Sequence, residues 1–325
     1  MEDTGEFALI ARLARHLRGA GDDAAVVPFG GANLVLAADA VVEGRHFRRD
    51  LSSLRDAGWK ALAVNLSDLA AMGSVAPRAA LVTLLRPAGC PDADVEELYE
   101  GLSEAARAFG VDLVGGDTTA AAELALSVAV TGELRGEPVW RSGARPGDVL
   151  VVVGALGGGA AALAAAEAGR AVDPDHLAAH RRPRPLLAAG RILAEAGATA
   201  LIDVSDGLGQ DLAHVCRASG VCAGVDWARL PVAVGVVALA ETLARDPVAL
   251  VCGGGEDYAL VAALPADVAE AAAASASAAE GVPAAVAGEI LAASEGAPLV
   301  ALEGCGPVRD IAGLGWDHFR PQEQQ

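Results

Sequence analysis

Short apolar runs and longer amphipathic segments alternate through the first half of the chain. Apolar runs rich in β-branched residues predict strands: VVPFG (26–30), LVLAAD (34–39), AALVTLL (79–85), VDLVGGD (111–117) and LALSVAVTGE (124–133). Apolar residues at three- and four-residue spacing predict helices over 6–18, 58–72 and 92–109. The first half is therefore predicted to be mixed α/β, with helices laid against a sheet.

The pattern breaks at VWRSGARPGD (139–148), where arginine, glycine and proline replace the apolar periodicity. Turn residues of this kind are typical of a joint between domains. A second α/β series follows: strand 149–154, an alanine-rich helix, the basic stretch HRRPRP (180–185), strand 199–204 and a helix over 265–280. We predict two domains, residues 1–138 and 139–325, of mixed α/β (α+β) class.

Composition narrows the possible partners and the compartment. Among 325 residues, 24 are basic and 43 acidic, giving a formal charge of -19, which disfavours nucleic acid and anionic membrane surfaces. The N-terminal residues MEDTGEFALIARL lack the basic region of a signal peptide. The uncharged segment 149–166 reads as strand, glycine turn and helix rather than as a membrane span. We expect a cytoplasmic protein that binds neither nucleic acid nor membrane.

Cysteine and lysine usage exclude two familiar kinds of site. The five cysteines form no CxxC pair and no zinc spacing, so buried free thiols are expected. Lys60 is the only lysine, and no Gly-Lys-Ser/Thr motif is present. A Walker A phosphate loop is therefore excluded.

Acidic residues close or follow several of the apolar runs. They occur in GDD (21–23), at Asp39, and in NLSD (65–68), GGD (115–117), DVSDG (203–207) and GGGED (253–257). Each one alone is more often a turn residue or a helix cap. Together they predict carboxylates converging at a sheet edge, where their mutual repulsion requires cations, and ligands that are all oxygen favour Mg²⁺ or Ca²⁺. Adjacent glycines would let backbone N–H groups cradle a phosphate.

These blocks, in this order, resemble the thiamine-monophosphate kinases of the aminoimidazole ribonucleotide synthetase superfamily. The resemblance runs almost from end to end, through GEFALIARL, GDDAAVV, VEGRHF, KALAVNLSDLAAMG, GGDTT, WRSGARPGD, IDVSDGL, CGGGEDYAL and GWDHF. It implies the superfamily's two α/β domains, a homodimer paired through the N-terminal halves, and phosphorylation of thiamine monophosphate by ATP with several Mg²⁺ ions. No protein nucleophile or catalytic side chain is implied, because the acceptor phosphate is already anionic.

The resemblance also assigns residues. It implies metal ligands at Asp23, Asp39, Asp68, Asp117, Asp203 and Asp206. It implies ATP contacts at Gly116, Asp117, Arg141 and Ser205, and thiamine-side contacts at His46, Glu256 and Phe319. Without it, His46 reads as a loop histidine, Phe319 as a terminal anchor and Asp22 as a turn partner.

One position departs from the family pattern, and two alternatives to the kinase remain. The family usually has Ser/Thr-Thr-Asp where this chain has Ala37, Ala38 and Asp39, so the metal contact there is either a backbone carbonyl or is lost to water. The alternatives are another ATP-using enzyme of the superfamily and a non-catalytic binding protein. Cys90 and Cys305 lie away from the terminal positions that the selenophosphate and hydrogenase-maturation enzymes require, and six retained aspartates disfavour a non-catalytic role.

Overall fold

Two β-sheets, one in each half of the chain, organise the computed structural model, which describes residues 6–17, 21–317 and 319. The first half contains β1 (Ala25–Phe29), β2 (Ala32–Val42), β3 (Val75–Arg86), β4 (Asp112–Ala120) and β5 (Ala125–Leu134), with helices α1 (Glu6–Ala14), α2 (Leu54–Ala71) and α3 (Asp92–Phe109). Its sheet has the order β1-β2-β5-β3-β4, and only the β3–β4 pair is parallel. α2 and α3 cover one face of this sheet and leave the other open.

The second half forms a larger sheet. Its strands are β6 (Val149–Val153), β7 (Ala200–Asp203), β8 (Val221–Asp226), β9 (Leu260–Leu264), β10 (Ala284–Ala292), β11 (Val300–Glu303) and β12 (Arg309–Asp310). Its helices are α4 (Gly158–Glu167), α5 (Pro174–Arg181), α6 (Leu187–Glu195), α7 (Leu208–Ser219), α8 (Val236–Thr242), α9 (Pro247–Cys252) and α10 (Ala266–Glu280). The strand order is β12-β11-β8-β10-β6-β9-β7. The two apolar cores on this sheet are built mainly from Ala, Val and Leu, as the ring-poor composition predicts.

Helix α2 joins the two halves. It begins at Leu54, earlier than the predicted residue 58, because Ser53 and Asp56 form a reciprocal capping box. Almost every side of the helix is buried, including the polar residues Lys60, Asn65 and Ser67. One side packs on the first sheet and the other meets β7 and α6 of the second half. The polar residues of α2 therefore lie between the two domains.

Other predicted elements differ from the structure at their ends. α1 ends at Ala14 rather than at residue 18, which lies outside the described residues. Asp39 and Asp117 were expected where strands end, but β2 continues to Val42 and β4 to Ala120. Pairing with a neighbouring strand extends each of them: Ala40, Val41 and Val42 remain in register with β5, and the residues after Asp117 remain in register with β3. Asp203 does end its strand, β7.

The segment between β5 and β6 contains the predicted domain boundary. The boundary after residue 138 stays a prediction, and it falls between Leu134 and Val149. The apolar segment 149–166 divides into β6, a glycine turn and α4. Across the described residues, no helix is both long and apolar enough to cross a membrane. All five cysteines are free thiols, four of them buried and Cys305 half-buried.

Candidate active site

Three aspartates from separate parts of the chain meet between the two domains. Asp23 precedes β1, Asp68 lies near the C-terminal end of α2, and Asp203 is the last residue of β7. One carboxylate oxygen of each lies within 4.8 Å of the others. Ser67, beside Asp68 on the same helix, donates a hydrogen bond of 2.5 Å to Asp203 Oδ2 across the domain junction. The sheet of the second half and the central helix therefore deliver their carboxylates to one point.

Burial and mutual repulsion make this cluster reluctant to carry its full charge. Burial, followed by the charge of Asp23, raises the pKa of Asp203 to about 8. Burial also raises the pKa of Asp68 well above its usual value, with further contributions from Asp39 and Asp203. Burial likewise raises the pKa of Asp23, although Arg141 opposes it. Asp39 is thus close enough to act electrostatically on the cluster.

The residues present fit a divalent cation. Asp23 Oδ2 is buried and has no hydrogen-bond partner among the described residues. A buried carboxylate oxygen normally has a partner, and three carboxylates this close normally share a positive charge. The donors are all oxygen, which suits Mg²⁺ better than zinc. Of the six predicted metal ligands, the structure brings Asp23, Asp68 and Asp203 together directly.

Arg141 lies against this cluster. Its Nη2 donates to Asp23 Oδ1 at 2.6 Å, and its backbone N–H donates to the carboxylate of Asp22 at 3.1 and 3.2 Å. Its Nε is buried and has no hydrogen-bond partner within the described part of the chain. Asp22 therefore does more than complete a turn: it holds the backbone of Arg141, and the guanidinium retains a donor for an incoming anion.

Asn65 is a supporting residue that the sequence did not single out for itself. Its Oδ1 accepts from the backbone N–H of Asp39 at 2.8 Å, and its Nδ2 donates to Ala61 O at 2.9 Å. Asn65 and Ser67 thus hold Asp39 and Asp203 from the same helix that supplies Asp68. Their positions inside the NLSD motif were the available signal.

Gly116 and Asp117 lie apart from the cluster along the first sheet. In the ladder, Asp39 aligns with Val128, Val82 and then Gly116. Three inter-strand spacings of about 4.8 Å, or about 14 Å, separate the two ends of that row. A Cβ at Gly116 would lie 1.7 Å from the carbonyl oxygen of Val82, so only glycine fits beside β3. One chain does not bring Asp117 next to Asp39 within its own sheet.

The loop after β7 carries Ser205 and Asp206. The carboxylate of Asp211, on α7, accepts from the backbone N–H groups of Asp206 at 3.1 Å and Gly207 at 3.0 Å. Burial, with the charge of Asp206 adding to it, raises the pKa of Asp211 well above its usual value. Gln210 donates to Asp206 Oδ2 at 3.2 Å. Asp211 and Gln210 were missed, although both follow directly in the DVSDGLGQD sequence.

Two of the three predicted thiamine-side residues are connected by the single lysine. Lys60 Nζ lies 2.7 Å from Glu256 Oε1 and donates to the carbonyl oxygen of His46 at 2.8 Å. The imidazole Nδ1 of His46 accepts from the N–H of Val42 at 3.2 Å. The Glu256 N–H donates to Ser205 O at 2.7 Å. Glu256 therefore lies directly beside the loop that carries Asp206.

Phe319 is exposed at the end of the described chain. Its backbone N–H donates to Asp317 Oδ1 at 2.9 Å, and the same carboxylate oxygen accepts from the N–H of Glu6 at the start of α1. Trp316 N donates to Asp206 O, and Gln210 Nε2 donates to Trp316 O. The GWDHF segment is thus attached both to the first helix and to the Asp206 loop.

Comparison with known proteins follows the same two-domain division. Residues 21–134 match the family described as AIR synthase related protein, N-terminal domain, and residues 145–300 match AIR synthase related protein, C-terminal domain. The two matches span most of the chain, so it belongs to the AIR synthase related proteins. The prediction of a two-domain α/β fold of this class is confirmed.

Within that class, the chain belongs to the thiamine-monophosphate kinase family. It is 41% identical over 271 residues to the thiamine-monophosphate kinase of Mycobacterium tuberculosis, covering 81% of each chain. It is 38% identical over 320 residues to the kinase of Halobacterium salinarum, covering 98% of this chain and 100% of that relative. A solved structure described as AaThiL complexed with AMPPCP and TMP is 28% identical, with a TM-score of 0.85 and 98% of both chains covered. The predicted family is confirmed.

Proposed function

We propose that this protein transfers the γ-phosphoryl group of ATP to thiamine monophosphate, yielding thiamine diphosphate and ADP. The observation that carries the proposal is the similarity over 98% of the chain to a kinase structure holding an ATP analogue and TMP together. The buried carboxylate cluster at the domain junction supports it, because a reaction between two polyanions needs a site that gathers positive charge.

Several Mg²⁺ ions are proposed as the resident cations. Asp23, Asp68 and Asp203 would hold one of them, and Asp39, Asp206 and Asp117 are proposed as further ligands. Bound Mg²⁺ supplies charge neutralisation and alignment of the donor and acceptor phosphates. The chain itself supplies the orientation of these ligands, since Ser67 holds Asp203 and Asp211 holds the backbone of Asp206.

The remaining groups bind and orient the two substrates. A phosphate monoester is already largely dianionic at neutral pH, so the acceptor oxygen needs no strong general base. Arg141 is proposed to turn its unused Nε–H toward a phosphate oxygen of ATP while Asp22 fixes its backbone. Gly116, Asp117 and Ser205 are proposed on the ATP side. His46, Glu256 and Phe319 are proposed on the thiamine side, where Glu256 can accept from the aminopyrimidine and Phe319 can stack on a ring.

The decisive experiment is product analysis. Purified protein is incubated with ATP, Mg²⁺ and thiamine monophosphate, and the products are separated by chromatography. We expect equimolar ADP and thiamine diphosphate. Thiamine, which lacks the acceptor phosphate, is the matched control and should give neither product. ATP hydrolysis without thiamine diphosphate, or no turnover at all, would refute the proposed activity.

We also propose that two copies pair through the open face of the first sheet. That face carries a groove of about 370 Å³ lined almost entirely by apolar side chains of β2, β3, β4 and β5. Leu81 is 51% exposed and Val114 is 60% exposed within it. An apolar surface of this kind on the face of a sheet is typical of a contact between subunits.

Light scattering tests the homodimer. We expect a dimer at micromolar concentration, and a monomer when Leu81→Glu and Val114→Glu are combined. Val234→Glu is the matched control, because Val234 is an exposed apolar residue of the second half and lies outside the groove. A monomeric wild type, or a double variant that stays dimeric, would reject this interface.

A further inference from the structure

Lys60 is a buried cation whose partners come from both halves of the molecule. It lies on α2, is 1% exposed, and is the only lysine in the chain. Its ammonium contacts Glu256 Oε1, from the second half, and the carbonyl oxygen of His46, from the first. A buried charge is retained in a folded protein when partners satisfy it, and here the two partners belong to the two proposed thiamine-side positions.

Glu256 is held from several directions. Its second carboxylate oxygen, Oε2, lies 3.3 Å from Nδ1 of His180, a residue of α5 that is 2% exposed. Its backbone has a φ of 59°, in the left-handed region that residues other than glycine rarely adopt. The N–H bond to Ser205 O maintains that conformation. The position of this carboxylate is therefore set by its surroundings rather than by its own preference.

The charge of Lys60 also keeps Glu256 an acceptor. Burial alone raises the pKa of Glu256, but Lys60 and then His180 outweigh burial and lower this pKa to about 2. An ionised carboxylate accepts hydrogen bonds on both oxygens and donates none. About 20% of the Glu256 side chain remains exposed, which leaves an edge for a ligand.

We propose that Lys60 is a positioning residue for the thiamine side of the cleft, fixing Glu256 relative to the His46 loop so that both meet the same substrate. This inference rests on the proposed function, since it takes His46 and Glu256 as thiamine-side groups. Lys60 Nζ contacts neither Arg141 nor the Asp23, Asp68 and Asp203 carboxylates in the described structure. We therefore expect the loss of Lys60 to affect the binding of thiamine monophosphate more than the binding of ATP.

The basic stretch 180–185 supplies a matched control. Arg182 also crosses the domain junction: its Nε lies 2.5 Å from Asp56 Oδ1, and its guanidinium stacks 5.4 Å from the Trp59 ring centroid. Its ion pairs in the described structure are with Asp56 on α2 and Glu104 on α3. Arg182→Gln thus weakens contacts between the same two domains and leaves the side chains of Lys60 and Glu256 unchanged.

The test is the steady-state kinetics of Lys60→Gln, Lys60→Arg and Arg182→Gln, each with melting temperature as a folding check. For Lys60→Gln we expect the KM for thiamine monophosphate to rise at least tenfold and the KM for ATP to change less than twofold. Lys60→Arg keeps the charge and should recover part of the loss. Arg182→Gln should leave both KM values within twofold of wild type.

A double variant keeps the inference testable if Lys60→Gln is unstable. Lys60→Gln combined with Glu256→Gln removes both charges of this contact, and its KM for thiamine monophosphate should match that of Glu256→Gln alone within twofold, because Lys60 acts through Glu256. Equal rises in both KM values, the same pattern in Arg182→Gln, or a KM for thiamine monophosphate in the double variant far above that of Glu256→Gln would assign Lys60 a purely structural role. A wild type that makes no thiamine diphosphate would instead refute the proposed function.

Discussion

The carboxyl groups of Asp23, Asp68 and Asp203 illustrate at the residue scale how function opposes stability. Three carboxylates within 4.8 Å repel one another, and burial removes the water that would screen them. Clusters of carboxylates with such shifted pKa values are typical of functional sites, where a bound ligand compensates for the repulsion. Substitutions inside the cluster should therefore separate activity from stability.

Asp68→Asn is expected to lower kcat by at least about 100-fold, equivalent to roughly 3 kcal/mol of barrier. The same substitution should raise the melting temperature in the presence of a chelator, because it removes one of three clustered charges. Kinetic assays and thermal unfolding measure the two effects. Asp112→Asn, at an exposed position of β4, is the control. A near-normal rate, or a lower melting temperature in chelator, would contradict this assignment.

Asp257 gives a pH-dependent prediction away from the cluster. It accepts from the N–H of Gly157 at 2.8 Å, and burial raises its pKa to about 8. The pKa of Asp257 is higher in the folded state than in the unfolded state, so between about pH 4 and pH 8 the native state holds the proton more tightly. The free energy of unfolding therefore falls as the pH rises through this range. Asp257→Asn keeps a carbonyl acceptor without the titration. The melting temperature of the variant, measured relative to that of the wild type, should rise between pH 5 and pH 8.5. If the two melting temperatures change in parallel with pH, burial does not raise the pKa of Asp257.

Helices α2 and α3 show at the element scale how glycine sets the spacing of the scaffold. A Cβ at Gly58 would lie 1.9 Å from Leu98 O, and one at Gly101 would lie 1.8 Å from Arg55 O. The two helices therefore approach with backbone against backbone. Because α2 carries Lys60, Asn65, Ser67 and Asp68, this close packing fixes the position of these site residues relative to α3.

Gly101→Ala should destabilise the protein by about 2 kcal/mol, since the added methyl group meets backbone that cannot rotate away. Gly89→Ala is the matched control, because a Cβ there meets nothing within 4 Å and φ is not positive. Thermal or denaturant unfolding measures both variants. Equal stabilities would mean that the helices separate without cost.

The alternation of side chains along strand β2 bears on Ala37 and Ala38, the residues that depart from the family pattern. Val35, Ala37 and Val41 are buried on its helix-covered face, whereas Leu36 and Ala38 are exposed and line the groove on the open face. A side chain at position 38 therefore points away from α2 and from Asp39. This alternation favours the backbone carbonyl as the metal contact at Ala38.

Ala38→Thr should accordingly leave the Mg²⁺ concentration for half-maximal activity within twofold of wild type. Ala37→Ser places a hydroxyl in the buried core and should lower the melting temperature without improving Mg²⁺ affinity. Activity titrations with Mg²⁺ test both variants. A tenfold lower midpoint for either one would show that a hydroxyl ligand is missing from this chain.

At the scale of the whole molecule, the site forms only where the two domains are in contact. Asp23 and Asp68 come from the first half and Asp203 from the second, and Ser67 connects the two. A ligand held by this cluster therefore binds only when the halves are packed together. Binding to the folded state alone stabilises it by mass action.

Mg²⁺ added to the chelated protein should raise the melting temperature of the whole molecule. At a concentration 100 times the dissociation constant the gain is about 2.7 kcal/mol, which corresponds to about 5 °C for a chain of this size. NaCl at equal ionic strength controls for screening of the -19 charge. The shift should be much smaller in Asp68→Asn. No shift in wild type, or an undiminished shift in the variant, would place the cation elsewhere.

The local sequence pattern predicted several helices and strands, the family and three residues of the candidate site. Apolar periodicity predicted β3, β5 and α3, and the turn chemistry at 139–148 falls between the two sheets. The ordered motifs predicted the family, and the acidic motifs named Asp23, Asp68 and Asp203 as candidates. These features are readable because strands, helices and turns depend on residues close in sequence.

Tertiary structure alone decided which of those candidates meet. The strand order places Asp117 three spacings from Asp39, and the pairing of β2 and β4 with their neighbours carries both strands past their aspartates. Lys60, a residue of note only for its rarity, becomes the contact between His46 and Glu256. Strand order and helix packing join residues that are tens to hundreds of positions apart, and no local period encodes those distances.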